Sequence, residues 1–242
     1  MKRLLLVITT VAICHFSMAQ IKDPKVTEVW EPVPKVIDPG NGSTAPSDAI
    51  VLFDGSNLDA WKHHNGNEAS WIIKDGYMEV KKESGDIITK QSFGDVQLHV
   101  EWRTPSEVVG EGQGRGNSGV YLQDKYEIQV LDSYNNTTYP NGQAGALYKQ
   151  SIPLVNAMNG PGEWNVYDII FKAPVFNKDG YKTSSGYITV MHNGVLIQNH
   201  VEIKGTTEYI GLPKNIAHGK GPIKLQYHGN PLRFRNVWVR EL

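Results

Sequence analysis

The sequence predicts an all-β fold, a sandwich or jelly roll of antiparallel strands. Three observations predict it: short runs in which apolar and polar residues alternate, two-residue turn signals between them, and the absence of any long helical period. Alternation places successive side chains on opposite faces of a sheet. Asp75-Gly76 and Asn193-Gly194, each between two such runs, are hairpin signals because both central positions of the favoured turn need a positive φ. A chain of 242 residues is as readily one large all-β domain as two small ones.

Met1 to Ala19 reads as a signal peptide: Lys2-Arg3, an apolar stretch from Leu4 to Ile13, then the small-x-small site Ser17-Met18-Ala19. The apolar stretch is too short to span a bilayer. The expected destination is the periplasm or the outer surface. Cys14 lies inside the signal, and bulky Ile13 before it argues against lipid attachment, so the mature chain has neither a disulfide nor a thiolate metal site. Residues 20–48 carry Pro24, Pro32, Pro34, Pro39 and Pro46, and read as an extended leader arm that straps along the domain through Trp30. The domain is expected over 49–242.

Within it, Ile50–Phe53 ends at the turn Asp54-Gly55. Trp71–Lys74 and Tyr77–Lys81 flank Asp75-Gly76, and Asp86–Thr89 follows. From 95 to 103, Val96, Leu98, Val100 and Trp102 form a core face against Gln97, His99, Glu101 and Arg103. Further strands are expected near 164–172, 187–192, 195–198, 223–227 and 234–239. The most informative stretch is 116–132, GNSGVYLQDKYEIQVLD. Its runs Ser118–Gln123 and Tyr126–Val130 are separated by Asp124-Lys125. Glu127 and Gln129 share one face, and a β-bulge at Val130-Leu131 would bring Asp132 beside them. A solvent-facing strand gives the same alternation; the adjoining Gly-Asn-Ser-Gly, which permits close backbone approach, favours a site.

The side chains expected to converge are Glu101 and Arg103 from one strand, Asn117, Glu127, Gln129 and Asp132 from the next, and Gln226 with His228 near the end. Carboxylates with separated pKa values serve as general acid and base, an Arg polarises an oxygen, and amides both donate to and accept from sugar hydroxyls. No Gly-x-Ser-x-Gly elbow, phosphate loop or dinucleotide fingerprint is present. With 24 basic against 25 acidic residues, nucleic acid is not an expected partner. The adjacent pair His63-His64 would face opposite ways on a strand. No cofactor is required; a divalent cation held by Glu127, Asp132 and His228 is the one the oxygen-rich set would accept.

The segments LFDGSNLDAWK, EWRTP, GNSGVYLQDKYEIQVLDS, GALYKQ and LQYHGNPLRFRNVWVREL, in that order, resemble the 3-keto-disaccharide hydrolase family over about 50–242. The resemblance implies a concanavalin A-like jelly roll of two antiparallel sheets and cleavage of glycosides already oxidised at C3. A ketone at C3 acidifies the C2 proton, so deprotonation, expulsion of the C1 substituent and hydration give net hydrolysis. On that chemistry Glu127 and His228 transfer protons and Arg103 or a divalent ion stabilises the enolate. Glu101, Gln129, Asp132 and Gln226 position the substrate. Tyr148 and Arg235 match family motif positions. The implied partner is an oxidoreductase that makes the 3-keto sugar. EIQVLD also resembles the Glu-x-Asp-x-x-Glu strand of laminarinase- and lichenase-type glycosidases, with Gln129 and Asp132 departing from it. A retaining glycosidase is therefore one alternative, and a carbohydrate-binding jelly roll another.

Overall fold

The computed structural model describes residues 23–242, so the expected signal peptide and Cys14 lie outside the described residues. The chain divides into two units, 1–36 and 37–242. The described part of the first holds a 3-10 turn, Pro24–Thr27, whose free Lys25 N–H is taken by Asp23. In the second, residues 37–48 belong with the domain. Arg240 donates to both Asp48 carboxylate oxygens at 2.8 Å, and Asn236 to the Gly42 carbonyl at 3.2 Å.

Fifteen strands follow: β1 (Ile50–Phe53), β2 (Trp61–His63), β3 (Ile72–Lys74), β4 (Tyr77–Glu79), β5 (Ile87–Thr89), β6 (Val96–Arg103), β7 (Ser118–Leu122) and β8 (Tyr126–Val130), then β9 (Asn165–Lys172), β10 (Val175–Phe176), β11 (Lys182–Ser184), β12 (Gly186–His192), β13 (Val195–Ile203), β14 (Lys224–Leu225) and β15 (Arg233–Glu241). An eight-stranded sheet runs β13-β12-β9-β6-β15-β4-β3, with β1 also on β15. A five-stranded sheet runs β2-β5-β14-β7-β8, and β10-β11 form a separate pair. Every pairing is antiparallel. Among the described residues no helix is long and apolar enough to cross a membrane.

The alternation dictates the layering. Val96, Leu98, Val100 and Trp102 of β6, with Tyr167, Ile169 and Phe171 of β9, bury their side chains in one core with Val120, Leu122, Ile128 and Val130 of the smaller sheet. Outward-facing residues of each sheet therefore lie on opposite sides of the sandwich. Tyr167 crosses between the sheets, its hydroxyl donating to the Gln129 carbonyl at 2.8 Å.

Hairpin β7–β8 differs from the two-residue connection expected. Leu122 pairs with Tyr126, leaving Gln123, Asp124 and Lys125 as a three-residue loop with positive φ at the first two. A two-residue loop would set Val120 against Gln129, whereas paired residues share a face; only the three-residue loop matches Val120 with Ile128 in the core.

The core also holds a titratable group. His192 packs on Trp102 and Tyr167, and Asn165 Oδ1 lies 3.0 Å from its Nε2. That oxygen accepts from Asn193 and Asn159 too, so His192 carries its proton on Nε2 and leaves Nδ1 buried without a partner among the described residues. Burial pushes its pKa down to about 4. Between the ordinary histidine value and 4 the unfolded chain takes up a proton that the folded chain refuses, so stability falls as pH falls through that window. His192→Gln is expected to flatten this acid loss by about 2–3 kcal/mol, measured as denaturant midpoints at pH 7 and pH 4.5.

Candidate active site

The outward face of the five-stranded sheet floors a cleft of about 380 Å³ lined by Gln113, Asn117, Tyr121, Glu127, Gln129, Tyr139, Tyr148, Thr207, Tyr209, Gln226 and His228. Three strands supply the floor. In the β7–β8 register Tyr121 lies opposite Glu127 and Gly119 opposite Gln129, while β14 delivers Gln226 beside Gly119. Loops supply the walls: Gln113 before β7, Tyr139 and Tyr148 after β8, and Thr207 and Tyr209 after β13.

Glu127 is the only carboxylate among these lining residues and is 4% exposed. Its backbone is pinned on both sides, the N–H donating to Thr207 Oγ1 and the carbonyl accepting from Tyr148 N–H, each at 3.0 Å. Burial pushes its pKa up to about 7, against the opposing effects of the Tyr121 hydroxyl that donates to it and of the Lys224 charge. Gln226 Nε2 donates to the Tyr121 hydroxyl at 3.3 Å, so that hydroxyl is free to donate to Glu127. Burial and the Glu127 charge push the Tyr121 pKa far upward, so Tyr121 stays a donor. Lys224 sits 3.8 Å from the centre of the Tyr121 ring and pairs with Asp124 at 2.8 Å. Gly119 makes room: a Cβ there would lie 2.7 Å from Glu127 Oε1 and 2.8 Å from Tyr121 Cε2.

At the mouth, the Tyr139 and Tyr148 hydroxyls are hydrogen-bonded at 2.7 Å, and Lys149 Nζ lies over the Tyr209 ring at 4.5 Å. His228 is exposed at the rim. The expected site residues Asn117, Glu127, Gln129, Tyr148, Gln226 and His228 are thus brought together.

The other four are not, and the expected convergence on one face is corrected for them. Asp132 does not come round beside Glu127. β8 ends at Val130, the Asp132 N–H is held by the Arg115 and Gly116 carbonyls, and its carboxylate is taken by Arg115 Nε at 2.7 Å. With Asp132 so committed, the trio Glu127, Asp132 and His228 does not assemble, and no group of three His, Cys, Asp or Glu side chains among the described residues is placed to hold a metal ion. Glu101, Arg103 and Arg235 stand on the outer face of the eight-stranded sheet, across the core from the cleft. Burial alone would raise the Glu101 pKa, but His99, Asn236 and Arg235 outweigh it and hold it near 2. Arg103 lies over Trp164 at 4.8 Å and Tyr77 at 5.6 Å. Arg235 lies over the same Trp164 ring at 4.1 Å and donates to Glu101 at 2.6 Å. His63 and His64 diverge: His63 is buried against Ser70 and the Asp86 carbonyl, and His64 turns to Asp124.

Residues the sequence reading missed are Tyr121, Gln113, Tyr139, Thr207 and Tyr209. Tyr121 had a signal, since the hairpin register sets it opposite Glu127. The loop residues had none.

The model of the 3-keto-alpha-glucoside-1,2-lyase-like domain matches residues 48–240. The chain belongs to that family. A Parabacteroides distasonis protein provisionally named a glycosyl hydrolase is 55% identical, with 91% of this chain and 97% of that one covered and a TM-score of 0.88. Two more from the same organism, similarly named, are 22% and 24% identical with TM-scores of 0.58 and 0.55; they cover 81% and 80% of this chain and 94% and 99% of their own, and they show the fold. No curated protein matches. The concanavalin A-like jelly roll of two antiparallel sheets expected from the sequence is what the chain adopts.

Because Asp132 and Arg103 lie outside the cleft, they separate in experiment from Glu127. Asp132→Ala, which removes the buried acceptor of the Arg115 Nε–H and of the Tyr134 N–H while Arg115 keeps the Tyr134 carbonyl, is expected to cost roughly 1–3 kcal/mol of stability. Arg103→Met is expected to leave kcat/KM on a cleaved glycoside within about 3-fold of wild type, since only a ~0.6 kcal/mol change in transition-state binding gives that factor. Denaturant unfolding and steady-state kinetics check the two.

Proposed function

We propose that this protein cleaves 3-keto-glycosides by elimination across C1 and C2 followed by hydration. One observation carries the reading: among the described residues the cleft holds a single carboxylate, Glu127, buried and with its pKa pushed up to about 7. A base must be ionised to act yet basic enough to take a carbon acid's proton, and a carboxylate near 7 meets both demands at neutral pH. The C3 ketone supplies the acidity at C2. Glu127 removes that proton, the electron pair moves into the C3 carbonyl as an enolate, and its return breaks the C1–O bond. His228 at the rim delivers a proton to the leaving oxygen. Water then adds across C1 and C2 to give the free 3-keto sugar.

Tyr121 holds Glu127 through its hydroxyl. The Tyr148 and Tyr139 hydroxyls and the Gln226 amide are the donors that face an enolate oxygen from the cleft, a role that Arg103 cannot reach. The alternatives fare worse. A retaining glycosidase needs a second carboxyl about 5–5.5 Å from the first, and no other carboxylate lines the cleft among the described residues. A sugar-binding module has no use for a lone buried carboxylate that weakens the fold when ionised. Export by way of the signal peptide, and an oxidoreductase that forms the C3 ketone beforehand, belong to the same proposal.

Purified protein incubated in deuterium oxide with a 3-keto-glucoside and with its unoxidised parent tests it by mass spectrometry. Release from the keto sugar alone, with deuterium entering C2, is the expected result. Glu127→Gln is expected to lower that release by roughly 10²–10⁴-fold. For the wild type kcat/KM is expected to rise with pH through about 7, as Glu127 loses its proton. Cleavage of the parent without exchange would promote the retaining mechanism, and binding without cleavage the sugar-binding module.

A further inference from the structure

The cleft floor contains a chain of amides whose orientation is forced. The Gly142 carbonyl can only accept, so the end of the Gln113 amide that faces it at 2.8 Å must be Nε2, which also donates to Thr138 Oγ1 at 2.9 Å. Gln113 Oε1 therefore faces Gln129, and the group of Gln129 that meets it at 3.0 Å must be Nε2. The remaining atom, Gln129 Oε1, is left as an acceptor, buried and without a hydrogen-bond partner among the described residues. The side chain is 1% exposed and lines the cleft.

Gln129 cannot escape by shifting its backbone. Its N–H donates to the Ala146 carbonyl at 3.0 Å, and its own carbonyl accepts from Gly145 N–H at 2.9 Å and from the Tyr167 hydroxyl at 2.8 Å. A buried acceptor left unpaired is costly, which makes this atom a place for a ligand's donor.

We propose that Gln129 is a specificity residue that accepts a hydrogen bond from a free hydroxyl of the bound sugar and excludes the keto oxygen from the floor. The inference rests on the cleft being the sugar site. A hydroxyl can donate to Oε1; a ketone, an ether or a substituted oxygen cannot. The substrate class is then a sugar ring bearing an unsubstituted hydroxyl at the floor, with its C3 ketone turned toward the Tyr148, Tyr139 and Gln226 donors. This differs from general polyol binding, in which an amide reads hydroxyls through either end.

The test uses a donor-free panel. Methyl α-glucoside and its 2-, 4- and 6-deoxy and deoxyfluoro derivatives are titrated calorimetrically into the full mature protein, and the corresponding 3-keto glycosides are assayed for cleavage. At one position both the deoxy and the fluoro sugar are expected to bind roughly 10- to 100-fold more weakly than the parent, because fluorine accepts but cannot donate. Gln129→Met is expected to remove that penalty at that position and leave the others unchanged. Four results would overturn the proposal: no binding of the parent glucoside, a panel all within about 2-fold of the parent, a fluoro sugar that binds like the parent at every sensitive position, or a penalty that survives in Q129M. The wild-type panel decides alone if Q129M does not fold. If the binding penalty stands while no 3-keto glycoside is cleaved, the reaction assigned above fails and the floor contact survives.

Discussion

The register of the β7–β8 hairpin is the constraint on which the site depends. Three loop residues, Gln123, Asp124 and Lys125, set Val120 against Ile128 in the core, and the same geometry sets Tyr121 against Glu127 and Gly119 against Gln129 on the other face. A slip of one residue would put the core residues in solvent and the cleft residues in the core. Packing of the sandwich and assembly of the cleft are thus one event. Strand β14 adds to it by laying Gln226 beside Gly119, whose missing side chain leaves the space that Glu127 and Tyr121 fill.

Two glutamates show how environment divides one residue type between roles. Glu101 and Glu127 are both nearly buried, yet Glu101 is surrounded by His99, Asn236 and Arg235 and held near 2. Such a carboxylate is a poor base and a good strut, fastening β6 to β15. Glu127 has one phenolic donor and one cation beyond that phenol's ring, too little to offset burial, and is left near 7. The cost of keeping it there is borne by the hairpin, the Thr207 hydrogen bond and the Tyr148 hydrogen bond that fix its backbone.

Much of this was legible in the sequence, and the failures have physical causes. Alternation gave the strands and faces of 96–103, 126–130 and 165–172, because one buried face forces period two. It also placed Glu127 with Gln129 on a common face. Alternation says nothing about which sheet a strand joins, so it cannot separate Glu101 and Arg103 from Glu127, although β6 and β8 lie on opposite sides of the core. Arg235 shares their face through β15. Asp132 departs from the expected position because the extra residue before it does not prolong the strand; Arg115, seventeen positions earlier, takes the carboxylate instead. The aromatic walls, Tyr139 and Tyr209, come from loops whose paths no periodicity encodes.

In the proposed mechanism Glu127 is a base made competent by burial. Carbon-13 NMR of the protein labelled at glutamate side-chain carboxyls, with Glu127→Gln for assignment, measures this directly. One resonance, absent in the variant, is predicted to titrate with a midpoint near 7. A Glu127 midpoint at or below the ordinary carboxylate value, about 4.3, would contradict the account and leave the cleft without its base.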